Sequence, residues 1–132
     1  MKKIAMSKVT KESLVDVVLG QSEVVIPNSV TVLNYQTGEF DRGEQGVMYW
    51  ANLEVCSTDE LEKLTQVELQ ENVNVIKLKI ADYKEESLDS LIGKVFATHD
   101  MEVLFLDKKT PRGVDINGMA LKTSLKELQE IK

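Results

Sequence analysis

The chain has 132 residues and a formal net charge of −6, and its 42% hydrophobic content suffices for the core of one compact domain. Its apolar stretches fall far short of the roughly 20 residues of a membrane span, and the acidic surplus argues against a protein that coats polyanions by bulk attraction. Any nucleic-acid surface must therefore be local, set by where the lysines and arginines sit.

The opening MKKIAMSKVTKES is basic, but Ser7, Lys8 and Lys11 interrupt any apolar run before it reaches the length of a leader. The expectation is a soluble, cytoplasmic protein without membrane association. Residues 1 to 27 read as an N-terminal extension, in which TKESLVDVVL (10 to 19) has Thr10 as N-cap and Leu14, Val17 and Val18 at helical spacing, ending at Gly20. EVVIPNSVTVLNY is β-branched and extended, interrupted at Pro27-Asn28. The segment TGEFDRGEQG reads as a glycine-rich charged turn, and Val47 to Val55 as a strand. STDELEKLTQVELQ, with Ser57 or Thr58 as cap and Leu61 and Leu64 on one side, predicts a short helix or helical loop. NVNVIKLKIADY alternates cleanly as a strand. EESLDSLIGKVF predicts a helical turn that enters a strand at Gly93. EVLFLDKKTPRGVDINGMALKTSL predicts two strands joined by a Lys-Lys-Thr-Pro-Arg-Gly loop, with a bend or bulge at Asn117-Gly118. Residues 125 to 132 read as a weakly helical tail. Short strands separated by turns and few helices predict a mainly β single domain, a small barrel or sandwich occupying residues 28 to 124.

Strand alternation assigns faces. Ile76, Leu78 and Ile80 share a core face, which leaves Lys77 and Lys79 on the other. Between Val47 and Val55, the apolar set Val47, Tyr49, Ala51, Leu53 and Val55 faces the core, so Trp50 goes to the polar face. A bulge between Gly46 and Leu53 would exchange Trp50 for Tyr49. If the two strands are neighbours, one face carries an indole beside two ammonium groups, the minimal chemistry of a single-strand surface. An aromatic ring stacks on an unpaired base for about 1–3 kcal/mol while cations hold phosphates. Arg42 in EFDRGEQG and Lys108, Lys109 and Arg112 in DKKTPRG lie in loops expected to flank that face, and Tyr35 or Phe40 could supply another ring. The competing reading is an acidic protein-interaction or structural accessory module with Trp50 as interface anchor.

Signatures of catalysis are missing. IGKVF lacks the first glycine and the Ser or Thr of a phosphate loop. His99 is the single histidine, and it has no second imidazole or thiolate to complete a metal site. Cys56 is the single cysteine, so no intrachain disulfide can form, and it reads as a strand-end residue. No enzyme activity, metal or cofactor is expected.

In order and residue type, the strand after TGEFDRGEQG, the alternating VNVIKLKI and the hairpin EVLFLDKKTPRGVDINGMALK resemble the small OB-fold single-stranded-DNA-binding proteins of filamentous phages, and more loosely those of other phages and conjugative elements. The resemblance covers roughly residues 30 to 122. It implies a five-stranded OB-like barrel that binds single-stranded DNA with little sequence preference, often as a dimer. The setting implied is replication, recombination or transfer of a phage or mobile element, with replication or recombination proteins as further partners. Carried over by position, the binding residues would be Arg42 of the first loop, Tyr49 and Trp50 of the aromatic strand, Lys77 and Lys79 of the next, and Lys108, Lys109 and Arg112 of the hairpin. The chain departs from the pattern in its longer N-terminus, its helical segment near residues 58 to 70 and its acidity.

Overall fold

A computed structural model describes residues 1–131. A parallel pair, β1 (Lys2–Ala5) and β2 (Ser22–Val25), brackets α1 (Lys11–Val18). The main sheet is mixed and six-stranded. In chain order its strands are β3 (Ser29–Asp41), β4 (Val47–Ser57), β5 (Ile76–Ile80), β6 (Val95–Ala97), β7 (Glu102–Thr110) and β8 (Gly113–Thr123), and in space they run β6-β3-β4-β5-β8-β7. Only β5 and β8 are parallel neighbours in that sheet. The second helix, α2 (Thr58–Gln66), follows β4 and is capped by Ser57, whose hydroxyl accepts from the Glu60 N–H at 3.3 Å.

The predicted mainly β character holds, but the five strands expected to close into a barrel instead lie in an open six-stranded sheet. The extra strand explains the opening. β6 pairs with β3 through Ser29–Ala97, Val30–Phe96 and Thr31–Val95, occupying the edge of β3 on which a returning strand would have to close. The C-terminal tail then covers β6. Ala97 N–H donates to the Gln129 carbonyl and Ile131 N–H to the Val95 carbonyl, both at 2.9 Å. The tail is thus a 3-10 turn (Leu125–Glu127) followed by an extended edge segment, rather than a helical tail.

The alternation is realised in β5 and, in β4, from Ala51 onward, whereas Val47, expected to face the core, is 46% exposed. Ala51, Leu53 and Val55 are buried opposite Ile80, Leu78 and Ile76, and Leu78 continues the row to Leu121 of β8. The N-terminal segment was expected to be an extension, yet Met6 and Val9 are fully buried members of this core. β5 and β8 pair only between Leu78–Leu121 and Ile80–Thr123, and the Met6–Lys8 turn packs against β8 beyond that pairing. There, the Gly118 N–H donates to the Val9 carbonyl at 2.7 Å. Gly118 belongs to the anticipated bulge, since Phe105 faces Met119 but Asp107 faces Ile116, which leaves Asn117 and Gly118 of β8 opposite a single residue of β7.

Candidate nucleic-acid interface

Half of TGEFDRGEQG is strand. β3 continues through Thr37–Asp41, and the turn shrinks to Arg42 through Gly46. Gly38 can sit inside a strand because a partner covers it. It pairs with Trp50, and a methyl group placed on Gly38 would come within 2.5 Å of the indole atoms Nε1, Cε2 and Cζ2 alike. The Nε1–Cε2–Cζ2 edge of the indole therefore fills the space that a side chain on Gly38 would take. A ring shielding the backbone of a strand glycine is the aromatic rescue that otherwise weak glycine positions in sheets receive. That edge of Trp50 is thereby held against the sheet, while 39% of the residue stays open to solvent. Gly38→Ala is expected to push the ring off the strand, shifting Trp50 emission to the red and lowering stability by about 1 kcal/mol in urea unfolding. Unaltered emission would contradict this packing.

The register between β3 and β4 runs without interruption from Asn34–Glu54 to Asp41–Val47, so no slip occurs near Gly46 and Trp50 keeps the outward side. The one bulge lies at Leu33, the extra residue between Val32–Val55 and Asn34–Glu54. Beyond it Gln36, Gly38 and Phe40 share Trp50's face, and Tyr35 joins the core-facing set opposite Leu53. Phe40 sits opposite Met48, and the Arg42 guanidinium stands 4.9 Å from the centre of the Phe40 ring, a cation–π contact.

Across the sheet, the next row on this face is Gln36, Asn52 and Lys79, followed by Lys122 and Glu102. One row further lie Asn34, Glu54 and Lys77. Lys77 faces Glu54 and Lys122 faces Glu102, but Lys79 stands between the Asn52 amide and Lys122, with no acid directly opposite it. Among the described residues none of Arg42, Lys77, Lys79 and Lys122 is in an ion pair. Gln36, Asn52, Glu54 and Lys77, with Leu106 and Met119, line a shallow concavity of about 370 Å³ on this side.

Of the expected residues, the structure gathers Phe40, Arg42, Trp50, Lys77 and Lys79 on one face. It corrects the placement of Tyr35, and it keeps Tyr49 on the core-facing side that strand alternation gives it, against the binding role that the resemblance implied. Tyr35 and Tyr49 lie on the opposite, core-facing side, held by the segment between β5 and β6. The Tyr35 hydroxyl donates to Asp89 and that of Tyr49 to Glu85 at 3.3 Å. The bond to Asp89 pushes the Tyr35 pKa up, and the Glu85 charge does the same for Tyr49. Neither ring can stack on a strand bound at Trp50. Lys108, Lys109 and Arg112 were expected in a long loop and instead form the end of a tight hairpin, with Thr110 opposite Gly113. Because β8 runs parallel to β5, this hairpin leaves the sheet at the end opposite Trp50. Lys108 pairs with Asp115, seven positions back from Lys122, or roughly 20 Å along the strand. Asp115 also takes Lys11 at 3.5 Å.

Sequence reasoning missed Lys122, Asn52 and Gln36. Lys122 was accessible from the alternation in MALKT, where Met119 and Leu121 are core and Lys122 must face out. Cys56 is buried, and burial, aided by the Glu60 charge, pushes its thiol up to about 11, which keeps it protonated. His99 is exposed and pairs with Asp100. Among the described residues no helix is long and apolar enough to cross a membrane, and no three His, Cys, Asp or Glu side chains cluster as metal ligands. Comparison of the chain with family models, with curated proteins and with solved structures finds no match.

Proposed function

We propose that the Trp50 face binds single-stranded DNA with little sequence preference, serving replication, recombination or transfer of a phage or mobile element. One observation carries the reading. An indole is packed over a strand glycine and stays 39% open to solvent, one strand away from Lys79, which is in no ion pair among the described residues. Such a ring stacks on any base, and the neighbouring ammonium groups neutralise phosphates. The acidity of the chain is compatible with this because much of it lies elsewhere, for example at Glu85 and Asp89 beneath the opposite side and at Asp59, Glu60 and Glu62 of α2. No bond chemistry is involved.

β3, β4 and β5 form a meander, and the β7–β8 hairpin returns so that β8 lies beside β5 in parallel, an OB-like arrangement left open where β6 occupies the edge of β3. In OB-folds the second and third strands, with the loops at either end, take up oligonucleotides. Here those strands are β4 and β5. Arg42 would meet one end of a bound strand and Lys108, Lys109 and Arg112 the other.

The test is titration of single- and double-stranded oligonucleotides at two salt concentrations while following Trp50, the only tryptophan. Single strands are expected to quench its emission, with log affinity falling against log salt at a slope of roughly −3 if Arg42, Lys77, Lys79 and Lys122 each take one phosphate. Unchanged emission and no gel retardation at low salt would overturn the proposal. A protein-interaction module is the second reading, favoured by Val18 and Leu19 of the α1 end, which are 85% and 64% exposed. It predicts loss of partner binding when those two residues become polar, with Trp50 emission indifferent to DNA.

A further inference from the structure

The two edges of the main sheet are treated differently. β6 is covered by the C-terminal segment through the Phe96–Glu130 bridge and its flanking hydrogen bonds. β7 pairs with β8 on one side and with nothing on the other among the described residues. The strand is regular, since the bulge lies in β8, and its apolar half is open, with Val103 39% and Phe105 50% exposed. Phe105 stands opposite Met119 on the core-facing side and is left half bare because the sheet ends there. An uncovered, unbulged edge of nine residues with an exposed phenylalanine is a template for another strand.

We propose that the occupant is β7 of a second copy, paired antiparallel about a twofold axis at Phe105. The sequence of β7 is largely self-complementary in that register. Phe105 meets Phe105 of the other copy, Leu104 meets Leu106, Val103 meets Asp107, and Glu102 meets Lys108, each of the last three pairs forming twice, once on each side of the axis. A twofold antiparallel pairing can shift only so that a residue again faces itself, because facing residues must lie on the same side of the sheet. Centring it on Leu104 sets Glu102 against Leu106, and centring it on Leu106 sets Lys108 against Leu104. Among these registers only the one at Phe105 sets acid against base, Glu102 against Lys108, and its one mismatch is Val103 against Asp107. The dimer carries the Trp50 face of both copies on one continuous twelve-stranded sheet, an outcome independent of what that face binds.

Sedimentation of the full chain over a micromolar concentration series tests this. The wild type is expected to dimerise. Glu102→Lys and Lys108→Glu are each expected to raise the dissociation constant by at least about tenfold, since each turns two attractive pairs into repulsive ones, and the double variant to restore it to within about threefold. Both residues are exposed, so each variant is expected to fold, which circular dichroism is to check before sedimentation. A wild type that stays monomeric, single variants that dimerise unimpaired, or a double variant that fails to recover would each overturn the proposal.

Discussion

Trp50→Ala is expected to weaken the binding of single-stranded oligonucleotides between about 5-fold and 150-fold, the range of one lost base stack worth about 1–3 kcal/mol. The measurement is anisotropy of a labelled oligonucleotide, since the variant has no tryptophan left to report. Its signature is in the salt series. Removing a stacking ring lowers affinity at every salt concentration and leaves the slope where it was. Lys79→Ala instead flattens the slope by about 0.7, the contribution of one phosphate contact on a single strand. The two effects separate the roles that the face assigns, ring on Gly38 and cation opposite Asn52. Tyr35→Phe and Tyr49→Phe are the internal controls. Their hydroxyls bind Asp89 and Glu85 on the other side of the sheet, so oligonucleotide affinity should not move. An unaltered affinity for Trp50→Ala, or a loss confined to the tyrosine variants, would remove the face from consideration.

The features that strand parity controls were legible in the sequence. Ile76, Leu78 and Ile80 had to be core once Lys77 and Lys79 alternated with them, and Trp50 had to face outward once Ala51, Leu53 and Val55 faced in. Helix starts were legible for a similarly local reason, because Thr10 and Ser57 each accept from a backbone N–H three residues on. What escaped depended on partners remote in sequence. Gly38 reads as turn punctuation until the indole twelve positions later is known to cover it. Tyr35 would share the side of Trp50 in an unbroken strand, and the single extra residue at Leu33 sends it to the core side instead. Nothing local in VTVLNY marks that bulge. Lys2–Ala5 is too short and too charged to announce a strand, and it exists because β2 supplies its whole ladder. Barrel closure failed as an expectation for the same reason. GKVF reads as a strand, but nothing in it says that β6 pairs with β3, and that pairing decides whether the sheet has edges.

Gly118→Val is expected to cost about 3 kcal/mol or more of folding stability, and the reason lies in how the N-terminal segment joins the core. Gly118 has φ +101°, a region that a β-branched residue enters only with strain of roughly 1–3 kcal/mol. A Cβ there would also stand 2.9 Å from the carbonyl oxygen of Ser7 and 3.3 Å from its carbonyl carbon. Both are backbone atoms and cannot swing aside as a side chain would. Relief requires the Met6–Lys8 turn to withdraw, which breaks the Gly118 N–H to Val9 carbonyl bond and draws the buried Met6 and Val9 out of the core. Urea unfolding reads the loss as a lower midpoint at unchanged m-value. Met6→Ala, which empties a fully buried site, should cost about 2–5 kcal/mol by itself. If residues 6 to 9 act as one inserted piece, the double variant loses less than the sum of the two, because a turn already displaced cannot lose its packing again. Additive losses would mean that Gly118 tolerates the larger side chain by local adjustment of β8. In that case the sheet, rather than the N-terminal turn, would set the path of the strand that carries Lys122 onto the Trp50 face.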